Sequence, residues 1–185
     1  MVTELLEKDF SVFLHQEMNV KNCAGWFDST NKEFIVAMKG SNGFPTLIHE
    51  YSHFLQWRDK KRYYNKLLKS CSIVFNWIDG KFHRKDVVEQ AIKDTIELEW
   101  DCEMGALELI HKYDLDVNLK KYIQCANAYI MFYHIIHNTR QWCKRSPYSD
   151  EIKRSMPEHL QPLEYYQTWD NIKDHQWEKY LKILK

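Results

Sequence analysis

The segment His49-Glu50-Tyr51-Ser52-His53 sets two imidazoles four residues apart, with a carboxylate between them. On a helix this spacing projects both rings from one face, close enough to ligate a single zinc ion at about 2.0–2.1 Å. Glu50 stands one step round from the first histidine, where its carboxylate reaches a water at the metal rather than the metal itself. Nine histidines and fourteen glutamates placed at random in 185 residues give roughly 0.03 matches to this pattern. The pattern is informative on that count, and the plainer reading it must displace is two core histidines that met by chance.

An open zinc site takes three protein ligands and leaves a fourth position for water. The third ligand must come from elsewhere in the chain. Glu97, Glu99, Asp101 and Glu103 stand out because they interrupt the otherwise apolar run IELEWDCEMGALELI. Glu99 and Glu103 share a helix face, as do Glu97 and Asp101, so either pair supplies a ligand and, one turn later, a carboxylate that holds a ligating ring from behind. Glu99 is the favoured ligand, with Glu103 and Glu97 as alternatives. In the competing reading the run is a solvated acidic stripe that binds nothing.

Positioning these residues takes a mainly helical chain. Five glycines and four prolines over 185 residues, with abundant Leu, Ile, Lys, Glu and aromatics, predict helices joined by few tight turns. Leu5, Leu6, Phe10, Phe13 and Leu14 recur at helical spacing, which predicts an amphipathic opening helix over residues 3–17. Ala24-Gly25-Trp26-Phe27 and Glu33 to Met38 flank the polar turn Asp28-Ser29-Thr30-Asn31 and predict a hairpin. Pro45 suits the first position of the metal-motif helix, whose neighbouring Leu47, Ile48, Tyr51, Phe54, Leu55 and Trp57 should bury it. Further helices are predicted over about 63–78, 85–113 and 117–143. After Ser146-Pro147 the composition turns polar, and Trp169, Ile172, Trp177, Tyr180, Leu181 and Ile183 predict a closing helix or a wrapping tail over 147–185. No repeat or linker interrupts the chain, so one domain is expected, its core over about 20–143.

The order of these segments carries a resemblance. A hairpin with Ala24-Gly25 and Phe34-Ile35-Val36, then TLIHEYSHFLQW, then Glu97 to Glu103 ahead of Ala106-Leu107-Glu108-Leu109-Ile110, resembles a gluzincin-type minimal zinc metallopeptidase. It is similar in layout to the ImmA/IrrE family of bacterial and phage metallo-endopeptidases and to small metallopeptidases encoded by bacteriophages. The resemblance covers about residues 20–115. It implies an α+β, zincin-like core with a hairpin or small sheet on the active-site helices, and a zinc site with a His, His, Glu ligand set. Zinc would then activate water for peptide-bond hydrolysis, with Glu50 as the base that later returns the proton to the leaving amine. A donor to the developing oxyanion is also expected, and Tyr133, His137 and Arg140 lie along one face of the fourth long helix, near Tyr129 and His134. Tyr133 and His137 are the candidates, against a reading in which such a stripe is core with satisfied polar tips. His15, His83, His111, His159 and His175 have no comparable partner spacing and are expected to be ordinary surface or capping residues.

Composition narrows the partners. Twenty-six basic and 26 acidic side chains cancel to a net charge of zero, which provides no overall attraction to nucleic acid or an anionic membrane. The densest basic stretch, Arg58 to Arg62, reads as a solvated helix end rather than a polyanion site. Cys23, Cys71, Cys102, Cys125 and Cys143 are odd in number and widely spaced, as suits reduced thiols serving as small core residues. With no secretory pattern or membrane-length apolar run, a cytoplasmic protein acting on a peptide or protein is expected. The alternative is a zincin-like module that binds a partner through its aromatic surface without constitutive proteolysis.

Overall fold

The computed structural model describes residues 1–142 and 149–169. In chain order the elements are α1 (Val2–Leu6), β1 (Ser11–His15), β2 (Gly25–Asp28), β3 (Glu33–Ala37), α2 (Gly43–Asp59), α3 (Lys61–Ile78), α4 (Lys85–Lys112), α5 (Leu119–Thr139), α6 (Asp150–Ser155) and α7 (Leu163–Gln167). The protein is thus mostly helical, with one small mixed sheet. Among the described residues no helix is long and apolar enough to cross a membrane. The chain divides into two compact units, Met1–Asn65 with Asp101–Val117, and Lys66–Trp100 with the residues from Asn118 onward.

The first unit is built on the sheet, in the order β1-β3-β2. The β2–β3 hairpin forms where the sequence predicts it, antiparallel, with Gly25 opposite Val36 and Asp28 opposite Glu33. Its turn is tied by the Asp28 carboxylate, which accepts from the Thr30 and Asn31 amides at 2.8 and 2.9 Å. Phe34, Ile35, Val36 and Ala37 are buried, as expected of the central strand.

The opening helix predicted over 3–17 is not there. A single turn, α1, ends at Leu6, Asp9 takes a left-handed conformation (φ 61°), and Ser11–His15 runs as β1, parallel to β3. The spacing of Phe10, Phe13 and Leu14 fits a helix, but tertiary pairing decides otherwise. Central β3 offers an unpaired edge, and Phe10 sinks among Phe27, Phe54 and Trp57, with ring centroids 5.2–5.6 Å away. Phe13 and Leu14, counted as part of a packing stripe, stay 44% and 43% exposed.

Helix α2 begins two residues before Pro45, which therefore sits at its third position, still within the first turn where a missing N–H costs nothing. Its Leu47, Ile48, Tyr51 and Phe54 are buried against the sheet side of the unit. The basic stretch behaves as a solvated helix end: Arg58 pairs with Glu4 and Asp59, and Lys61 lies over the Trp57 ring.

The second unit has a core drawn from Val88, Ile92 and Ile96 of α4, Ile130, Phe132 and Ile136 of α5, and Ile152, Met156 and Tyr166. The polar stretch after residue 149 lies on α5 through side-chain hydrogen bonds. Asn127 donates to the carbonyls of Pro157 and His159, Gln124 to that of Met156, and Tyr166 donates to Asn127. Ile172, Trp177, Tyr180, Leu181 and Ile183 of the predicted closing segment, with His175 and Cys143, lie outside the described residues. Cys71 and Cys102 are buried as expected, whereas Cys23 is exposed in the loop before β2.

Candidate metal centre

Helix α2 places its two histidines as the spacing requires. The rings of His49 and His53 stand one turn apart with centroids 4.8 Å from each other, nearly perpendicular. The C-terminal part of α4 faces them in the same unit. Gly105 permits that approach, because a Cβ there would stand 2.6 Å from Ser52 Oγ, and Ser52 Oγ instead donates 2.7 Å to the Cys102 carbonyl. One donor atom each from His49, His53 and Cys102 falls within 4.8 Å of the others, a group that could hold a metal ion.

The donor set suits zinc, which binds imidazole nitrogen at about 2.0–2.1 Å and thiolate at about 2.3 Å. Ligands at those lengths around a tetrahedral ion stand about 3.5 Å apart, so the group needs to close by roughly an ångström. Cys102 Sγ lies 3.7 Å from His49 Nδ1, the nitrogen that Glu103 also meets, and donates to the His49 carbonyl at 3.3 Å.

Each histidine is also held through its Nδ1. Glu103, buried to 5% exposure, puts Oε1 3.0 Å from His49 Nδ1. Burial by itself would lower the basicity of His49, but Cys102 and Glu103 beside it outweigh that and hold its pKa well above the ordinary histidine value. His53 Nδ1 lies 2.8 Å from Gln56 Oε1, Gln56 Nε2 donates to Asp101 Oδ2 at 2.8 Å, and Lys60 Nζ donates to the same carboxylate at 2.8 and 3.1 Å.

Glu50 is buried to 8% exposure beneath β2. Room for it comes from Gly25, where a Cβ would stand 3.3 Å from Glu50 Cγ and 2.8 Å from the Ile35 carbonyl oxygen. The base candidate, the two histidines and Glu103 therefore belong to one unit.

Glu97 and Glu99 lie on α4 just before the point where the chain is divided, and belong to the second unit. Glu99 is buried there, close enough to Tyr129 that its charge, after burial itself, pushes the Tyr129 hydroxyl well above the ordinary phenol range. Tyr133 is buried, with its hydroxyl 3.2 Å from that of Tyr129. His137 stacks on Trp169 at 4.1 Å and faces Glu89 at 3.7 Å, and Arg140 donates to the carbonyls of Trp77 and Lys81.

Cys102 and Gln56 went unread as site residues. Cys102 carried a signal, a thiol between two acids on the helix expected to complete the site, while Gln56 offered only its place one turn after His53. No known family profile matches the chain, and neither a curated protein nor a solved structure matches it.

Proposed function

We propose that the chain is a metal-dependent hydrolase and, more narrowly, a zinc metallopeptidase. The observation that carries this reading is the His49/His53 pair on one face of α2, with His49 backed at Nδ1 by buried Glu103 and with Glu50 buried at the intervening position. His49 and His53 would hold the ion, and α4 would supply the third donor. Cys102 lies within reach of both histidines, and Glu99, one turn before Glu103, is the carboxylate the sequence favours. Zinc, when bound, lowers the pKa of a ligated water toward about 7 and polarises a carbonyl.

The residues of the chain do the rest. Glu103 accepts from His49 Nδ1 and so fixes the ring's direction. Glu50 takes the proton of the attacking water and returns it to the leaving amine, so one carboxylate serves both halves of the reaction. Gly25 keeps the wall beside Glu50 free of a side chain.

Metal analysis of the protein purified without chelator tests this directly, and one zinc per chain is the expected result. Glu50→Gln should keep the zinc and lose peptide cleavage by about 10²–10⁴-fold, measured on a peptide library. A zinc-free protein defeats the proposal. With cobalt in place of zinc, a thiolate-to-metal charge-transfer band that disappears in Cys102→Ser identifies the thiol as third donor, and its absence in the wild type excludes the thiol.

A further inference from the structure

The metal-binding reading leaves open what fixes the second histidine, since Glu103 meets only the first. A neutral imidazole carries its single proton on either Nδ1 or Nε2, and only the other nitrogen offers a lone pair to a metal. In free histidine both forms are populated, so a site that needs one of them gains affinity when its surroundings exclude the other.

We infer that Lys60, Asp101 and Gln56 form a positioning relay that locks His53 in its Nδ1–H form and turns its Nε2 lone pair toward the metal. This inference rests on the reading that His53 is a ligand, and it adds the device that orients it. The argument runs inward from the surface. Lys60 Nζ has hydrogens and no acceptor, so in its contacts to Asp101, at 2.8 and 3.1 Å, both carboxylate oxygens accept. With both oxygens accepting, the atom Gln56 turns toward Oδ2 at 2.8 Å is the Nε2 amide donor. With Nε2 committed, the carbonyl Oε1 of Gln56 faces His53 at 2.8 Å, and an acceptor at that distance requires a proton on Nδ1.

The placement of the three residues supports a designed orientation rather than incidental surface contacts. Gln56 is buried to 5% exposure, one turn beyond His53 on α2, so its amide meets these two partners away from bulk water. Asp101 comes from α4 and is mostly covered, while Lys60, just past the end of α2, is about half exposed. The relay therefore passes from solvent to the partly buried ring across the same pair of helices that carries the histidines and Cys102. Asp101 and Lys60 touch neither the metal nor a substrate in this scheme, and act only through Gln56.

The nitrogen-15 shifts of His53 in the metal-free wild type test the relay without any metal present. A protonated Nδ1 and an unprotonated Nε2 are expected, and a predominant Nε2–H form overturns the inference. Gln56→Leu, of similar volume but with no acceptor, should release His53 to a mixture of both forms and weaken zinc binding by about 10–100-fold in a chelator competition. Lys60→Met should have the smallest effect, because its half-exposed pair is screened. Zinc affinity and His53 shifts unchanged in a folded Gln56→Leu protein would refute the relay. A wild type that binds no zinc but shows Nδ1–H would instead defeat the metal reading and leave the relay standing.

Discussion

Two helices of this protein carry a closely spaced histidine pair, and the two pairs differ in what meets their rings. On α2, His49 and His53 face a carboxylate and a side-chain amide, each at Nδ1, with a thiol beside them. On α5, His134 donates from Nε2 to the Tyr166 carbonyl, and His137 lies flat on Trp169 with the Glu89 carboxylate only at 3.7 Å. The electrostatic outcomes are opposite. Glu103 and Cys102 hold the His49 pKa well above its usual value, whereas burial pushes His134 down to about 4 and lowers His137 as well. Sequence spacing alone does not separate the two pairs, and the groups behind the rings distinguish them.

The sharpest way to break this comparison is metal binding itself. His49→Ala or His53→Ala should abolish stoichiometric zinc, while His134→Gln and His137→Gln should leave it at the wild-type level, as read by metal analysis on folded protein. Zinc lost from the α5 variants and kept in the α2 variants would reverse the assignment.

A second contrast concerns acid. His134 titrates near 6.5 when unfolded and at about 4 when folded, so between these values the unfolded chain binds the extra proton. Its contribution to stability is complete above pH 6.5 and is lost as the pH falls toward 4. The full change is about 3 kcal/mol. Urea unfolding between pH 7 and 4.5 should show this loss, and His134→Gln, which can still donate to the Tyr166 carbonyl, should flatten the profile. An unchanged slope would mean that the fold does not hold the His134 pKa below its unfolded value.

Smaller effects sharpen the α2 side. Gly105→Ala should cost about 1–3 kcal/mol, seen as a lower denaturation midpoint, because its methyl meets Ser52 Oγ and disturbs the bond to the Cys102 carbonyl. His137→Gln should cost about 1 kcal/mol at most, the scale of one aromatic stack and a long, partly exposed ion pair.

Much of the first unit can be read in the sequence because its signals are local. The hairpin announces itself by a polar turn between β-formers, and α2 by a proline, an apolar face and the histidine spacing. The register of α2 against α4 is not local. It depends on the missing side chain at Gly105 and on Ser52, and it decides that Cys102 and Glu103 rather than some other pair of that acidic run meet His49. Gln56 was silent for the same reason, since its partner Asp101 is 45 residues away. Strand β1 is not legible in the sequence because its apolar residues fit a helical spacing, and the free edge of β3 decides otherwise.

That edge strand also has a consequence in time. The β2–β3 hairpin closes a short loop, whereas β1 must find β3 across the whole hairpin, so its pairing forms later and opens first. The amides of Ser11–His15 should therefore exchange with solvent deuterium sooner than those of Phe34–Ala37, and the ring of Phe10 should loosen with them while α2 keeps its histidines in place.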